Sequence, residues 1–257
     1  MGCCATKSTD NDLYIEVFQS FPIRSILINI LFQNYFSKTK NDLLDFTETQ
    51  FQELINILLL PKDEKNRNIF TQYWLDFYRS LNSQTRTLTI KICLAFLCTG
   101  ITEDIDIKLI ADEMKKSTKS NSSSNINEIS KKYEIPKNIT KNIIESYVKL
   151  LTVDTIDHFK FLIPDSRKFK VEYSDKWERS AIEKYVEITF FNDIKDKGNS
   201  LINIYSFLKE HYEKLRNDDA IRKDFSVFSE KYREKNPQNV GLNQLKETTM
   251  ILGHNSL

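Results

Sequence analysis

The chain has 257 residues, with 37 Lys+Arg against 36 Asp+Glu and a formal charge of +1 at pH 7. With no net basic field to collect phosphates, no nucleic-acid partner is expected. Apolar residues make up 40% and charged residues 28%, a globular composition, and only 5 Gly and 5 Pro punctuate it, which favours long helices over a many-stranded sandwich or barrel.

The first segment, residues 1–12, opens Met1-Gly2-Cys3-Cys4-Ala5-Thr6. Gly after the initiator Met and Thr at the sixth position fit N-myristoylation, in which the freed amine of Gly2 becomes the fatty amide. One myristoyl chain holds a membrane only marginally, with an association constant of about 10⁴ M⁻¹, so stable residence takes a second signal. Among the first twenty residues Lys7 is the one cation, against Asp10, Asp12 and Glu16, so a basic cluster does not supply it. Cys3 and Cys4 do: beside the bilayer once Gly2 is acylated, they are the expected sites of S-palmitoylation. The segment lacks the continuous apolar run of a secretory signal. It therefore implies the cytosolic face of a membrane, either the plasma membrane or a ciliary membrane or endomembrane. In that reducing compartment Cys93 and Cys98 are expected as free thiols.

Residues 13–116 read as a helical domain. Phe21 to Phe36 is apolar but too short and interrupted to span a bilayer, so it is expected as a core helix. Asp45 to Leu60, Ile69 to Leu81, Leu88 to Cys98 and Asp104 to Lys116 follow at helical spacing, with Gly100 as the expected C-cap of the fourth. Phe70, Tyr73, Trp74, Phe77 and Tyr78 form an aromatic stripe of the kind that packs a core. The acidic run Glu103-Asp104-Ile105-Asp106 suits a solvated helix start.

Residues 117–127, Ser/Asn-rich, read as a linker. In the second helical region, 128–235, helices are expected over Glu128–Tyr133, Asn138–Leu151, Asp175–Phe191, Leu201–Leu215 and Ala220–Tyr232. Trp177, Ala181, Ile182, Tyr185 and Ile188 share one side of the third. Alternation over Phe159–Tyr173 about Pro164 suits a small β-hairpin. Residues 236–257 read as a polar tail. The fold class is thus mostly α, with an EF-hand-like helical N-terminal half, a second helical half and room for one hairpin.

The segment 23–58 has the layout of an EF-hand. With Leu44 at the loop's apolar position, the ligand positions fall on Ser37, Thr39, Asn41, Asp45 and, at the twelfth, Glu48. A calcium loop needs early oxygen ligands, a Gly at the sixth position and a bidentate Glu at the twelfth. Glu48 meets the last requirement; the early ligands are weak and Asp42 stands where Gly belongs. A second loop, with Ser83, Thr85 and Thr87 early and Ile90 at its apolar position, has Leu94 at the twelfth, which cannot bind a cation. The same pattern also suits an ordinary helical hairpin. No cofactor is expected apart from a Ca²⁺ ion at the first loop.

Phe46-Thr47 with Phe51-Gln52-Glu53-Leu54, and Leu88-Thr89-Ile90-Lys91-Ile92, resemble the helical, EF-hand-like N-terminal region of N-myristoylated proteins that carry a TLDc domain. Trp177 followed by Ala181, Ile182 and Glu183 is similar to the helix preceding that domain. The resemblance covers at most residues 1–190, and the TLDc domain itself is not evident in the sequence. It implies a part in proton-pump or signalling regulation.

No GxSxG, HExxH, Walker loop or GxGxxG occurs, and His158, His211 and His254 are scattered. Three functions stay open from the residues, the first two being a non-catalytic, lipid-anchored adaptor with an unidentified protein partner and a calcium sensor working through Glu48 and Asp45. An enzyme with a site assembled from distant residues is the third.

Overall fold

The computed structural model describes residues 21–36, 46–60, 67–118, 133–155, 175–192, 194 and 200–236. The chain enters with Phe21 buried, makes a 3-10 turn at Pro22–Ser25 and then runs extended through Ile26 and Leu27. There it pairs in parallel with Thr99: Ile28 N donates to Thr99 O (2.9 Å) and Thr99 N to Ile26 O (2.8 Å). The helix expected from Phe21 therefore starts only at Ile28. Pro22 fixes the entry turn, and two residues are spent on the bridge.

Helix α1 is Ile28–Ile30, continued by a π turn over Leu31–Phe36. Helix α2, Glu48–Leu54, runs into a second π turn at Ile55–Leu59. Thr47 opens α2 with a capping box: its hydroxyl accepts from Gln50 N (3.2 Å) while Gln50 Oε1 accepts from Thr47 N (3.0 Å). Helix α3 is Arg67–Ser80, α4 Arg86–Leu97 and α5 Glu103–Thr118. Strand β1, Glu134–Pro136, leads into α6, Lys137–Leu151. Helix α7 is Asp175–Phe190. Strand β2, Leu201–Asn203, precedes α8, Ile204–Arg216, and α9, Asp218–Lys235. Asn203 and Asn217 cap α8 and α9, accepting from Ser206 N and Ala220 N (3.0 Å each).

The class is mostly α, with one small two-stranded antiparallel sheet among the described residues, in which Ile135 faces Ile202. That sheet joins segments far apart in sequence; the stretch expected as a hairpin, 159–173, lies outside the described residues, as does most of the Ser/Asn-rich linker. Leu201–Asn203, expected as the first turn of a helix, is strand because Asn203 caps α8 and starts it one residue later.

Helix α4 is the hub. Every residue from Leu88 to Leu97 except Lys91 is buried, as expected of a helix that is apolar all round. Helices α5, α6 and α8 pack around it, and α7 and α9 close over α6. Buried residues from Phe21 to Phe225 form one continuous cluster. Described residues on both sides of 117–127 contribute to it. On α7 the buried face is Ala181, Ile182, Tyr185, Val186 and Phe190; Ile188, expected on that face, is 48% exposed.

Helices α6 and α7 also share a charge ladder. Glu187 accepts from Lys141 (2.7 Å) and Lys137 (3.4 Å). One turn along α6, Glu145 lies half-buried with its Oε1 4.0 Å from Lys141 Nζ and no hydrogen bond. Burial pushes its carboxyl up to about 7; Lys141 and Arg179 pull it down, while Glu183 and Glu187 push it further up. A carboxyl raised in the folded state favours folding while neutral. Its contribution is complete below the unfolded value of about 4.3 and is lost as pH rises through 7. Glu145→Gln is therefore expected to raise stability by about 1–2 kcal/mol at pH 8 and to leave it nearly unchanged at pH 4, in urea titrations at both. Equal effects at the two pH values would contradict this.

Candidate functional site

Gly2, Cys3 and Cys4 lie outside the described residues, and so do Ser37, Thr39, Asn41 and Asp45. Of the first-loop ligand positions, Glu48 is the one whose surroundings are described. It occupies the first turn of α2, where a negative charge suits the helix dipole. Both carboxylate oxygens are engaged by one guanidinium: Arg79 Nη2 donates to Oε1 (2.5 Å) and Nε to Oε2 (3.3 Å). The Arg79 hydrogen bonds hold the Glu48 carboxyl below the usual range. A bidentate calcium ligand needs those same two oxygens, so an ion there has to displace Arg79.

From Arg86 on, the second loop is helix. Helix α4 begins at Arg86, so Thr87, Ile90 and Leu94 sit on a continuous helix, with Ile90 and Leu94 fully buried. Thr87, read as a ligand, instead accepts a hydrogen bond from Phe46 N (2.8 Å) and ties the start of α2 to α4. Among the described residues no group of three or more His, Cys, Asp or Glu side chains could hold a metal ion.

The most elaborate polar centre was not foreseen as one. Asp106, expected on a solvated helix start, is 0% exposed. Its Oδ1 accepts from Ile101 N (3.0 Å) and its Oδ2 from the Tyr212 hydroxyl, pinning the start of α5 to α8. Arg216, one turn beyond Tyr212, donates to Ala95 O (2.7 Å) near the end of α4. Cys98 donates to the same carbonyl (3.1 Å). Gly100 is threaded between these groups. A Cβ there would overlap Asp106 Oδ2 and lie 3.1 Å from Tyr212 Oη and 3.3 Å from Arg216 Nη2. Its backbone is not in the left-handed region, and the C-cap of α4 is Cys98. Gly100 is thus a place of close approach rather than the expected cap. Nothing local in the sequence signals this, because Tyr212 and Arg216 are more than a hundred residues away.

Cys93 and Cys98 are free and buried. Burial pushes both thiols up, Cys98 to about 11, so neither is an activated nucleophile. No helix among the described residues is long and apolar enough to cross a membrane.

No family model, curated protein or solved structure matches the chain.

Proposed function

We propose that the protein is a non-catalytic adaptor held on the cytosolic face of a membrane by myristate on Gly2 and palmitate on Cys3 and Cys4. The observation that carries this is the opening Met1-Gly2-Cys3-Cys4-Ala5-Thr6, which combines the myristoylation pattern with the second acyl site that stable anchoring requires. Palmitate thioesters are reversible, so attachment would be adjustable. The calcium-sensor reading is disfavoured by the engagement of both Glu48 oxygens with Arg79 and by the helical second loop.

Two variants test it. Gly2→Ala removes the acceptor of the first chain and is expected to move the protein from the membrane to the soluble fraction. Cys3→Ser/Cys4→Ser leaves the single myristate and is expected to give weak, readily washed membrane binding. If both variants fractionate like the parent, the anchor proposal fails. Calcium titration by calorimetry addresses the alternative: heat at micromolar ion that Glu48→Gln removes would support the sensor instead.

A further inference from the structure

The seam between α6 and α7 carries Glu145, Lys137 and Lys141 from one helix and Glu183, Glu187 and Arg179 from the other. The charges balance, but the pairing does not. Glu187 takes two cations, its Oε2 accepting from Lys141 Nζ (2.7 Å) and its Oε1 from Lys137 Nζ (3.4 Å). Glu183 accepts from Arg179 Nε (3.1 Å). Glu145 keeps a buried Oε1 with no hydrogen-bond donor, 4.0 Å from Lys141 Nζ. Lys141 therefore stands between two acceptors, one across the seam and one four residues along its own helix.

The other charges around α6 are engaged or distant. Lys149, one turn past Glu145, holds Asp154 (3.3 Å). From α9, Asp218 meets Arg24 (2.6 Å) and Arg222 (3.3 Å), and Asp224 meets Lys214 (2.8 Å). From α4, Lys91 holds Glu113 (2.7 Å) and Arg86 lies over the Tyr78 ring. Glu134 of β1 precedes α6, more than two helical turns before Glu145. The charges that face Glu145 are thus Lys141, Glu183, Arg179 and Glu187. Burial pushes its carboxyl up to about 7. Burial also works against the charges of Lys141 and Glu187, but their bond to each other outweighs it, so both stay ionised on either side of neutrality. Once Glu145 loses its proton, a bare carboxylate lies half-buried beside two others, and Lys141 is the cation within reach.

We propose that Lys141 is a pH-set latch between α6 and α7: with Glu145 neutral it bridges to Glu187, and with Glu145 ionised it is drawn back to Glu145 on its own helix, which loosens the seam. An interhelical bond is exchanged for an intrahelical one. This goes beyond the adaptor reading and does not depend on it.

The test is a pair of double-mutant cycles on the unacylated full chain, read as unfolding constants in urea at about pH 5.5 and about pH 8.5. Lys141→Met with Glu187→Gln is expected to show a coupling of at least about threefold at the lower pH and none at the higher. Lys141→Met with Glu145→Gln is expected to show the reverse. In a Glu145→Gln background the Lys141–Glu187 coupling should persist at both. Couplings that ignore pH, or a Lys141–Glu187 coupling that fades at the higher pH in the Glu145→Gln background too, would overturn the proposal. The parent chain, labelled with ¹³C at glutamate carboxyls, gives a second reading that needs no variant to fold. The Glu145 signal is expected to titrate near neutrality, and the Glu187 signal to move with the same midpoint as Lys141 leaves it. A Glu145 midpoint near the ordinary value of about 4.3, or a Glu187 signal that stays still while Glu145 titrates, contradicts the latch. Since no acyl chain is present, failure here is separate from failure of the anchor, which is read in the fractionation of the Gly2 and Cys3/Cys4 variants.

Discussion

Gly100→Ala is expected to lower the stability of the protein by about 3 kcal/mol, because the added methyl must enter a space already filled by Asp106, Tyr212 and Arg216. Asp106 cannot yield cheaply. It is wholly buried, and its two oxygens hold Ile101 N and the Tyr212 hydroxyl. Moving it leaves those donors short of an acceptor inside the fold. A double-mutant cycle makes the mechanism visible. Asp106→Ala alone is expected to be costly, by about 3–5 kcal/mol, since it strips a buried network of its acceptor. In that background the methyl at position 100 has room, and Gly100→Ala should cost less than about 1 kcal/mol more. A glycine retained only for a helix cap would instead lose the same amount in both backgrounds. Urea denaturation of the four proteins, followed by circular dichroism, distinguishes the two.

The second large effect is at Trp74. Its indole is 0% exposed and meets Tyr73 (5.1 Å between ring centroids), Phe21 (5.8 Å) and Phe77 (6.1 Å) at steep angles. Phe21 in turn meets Phe70 edge-on at 5.6 Å. This cluster fastens Phe21, ahead of the entry turn, to α3. Trp74→Ala is expected to cost about 3–5 kcal/mol through lost transfer energy and the cavity left behind. Trp74→Phe should cost far less, about 1–2 kcal/mol, because Nε1 has no hydrogen-bond partner and its removal leaves no other group unsatisfied. Thermal unfolding of the two variants orders them; equal losses would mean that the indole nitrogen matters in a way the packing does not explain.

These two sites differ in how readable they are from sequence. The aromatic stripe of α3 is a local pattern: Phe70, Tyr73, Trp74, Phe77 and Tyr78 recur at helical spacing, and all are buried. The hub helix α4 is legible for the same reason, as a run of apolar residues broken mainly by Lys91. Asp106 is not legible. A carboxylate two residues after Asp104 in an acidic run looks solvated, and only the arrival of Tyr212 and Arg216 from α8 buries it. Gly100 follows Asp106 in this, because the reason for the glycine is the carboxylate. The entry turn, the bridge at Leu27 and the three-residue strands were missed for another reason. Elements so short carry no period, and pairing partners some seventy residues apart, Leu27 with Thr99 or Ile135 with Ile202, leave no local trace. The second calcium alignment rested on Ile90 at the apolar position, which α4 uses for its core, as it does Leu94, already unable to bind a cation at the twelfth position. An i, i+4 apolar pair serves a helix as readily as a loop and its exiting helix.

The proposed adaptor function depends on the acyl anchor. Intact-mass and peptide mass spectrometry of the protein isolated from its native source tests it most directly, with hydroxylamine treatment to identify thioesters. The first peptide is expected to lack Met1, to carry myristoyl amide on Gly2 and to release palmitate from Cys3 and Cys4 with hydroxylamine. A first peptide that retains Met1, or that shows a free Gly2 amine with bare thiols, contradicts it.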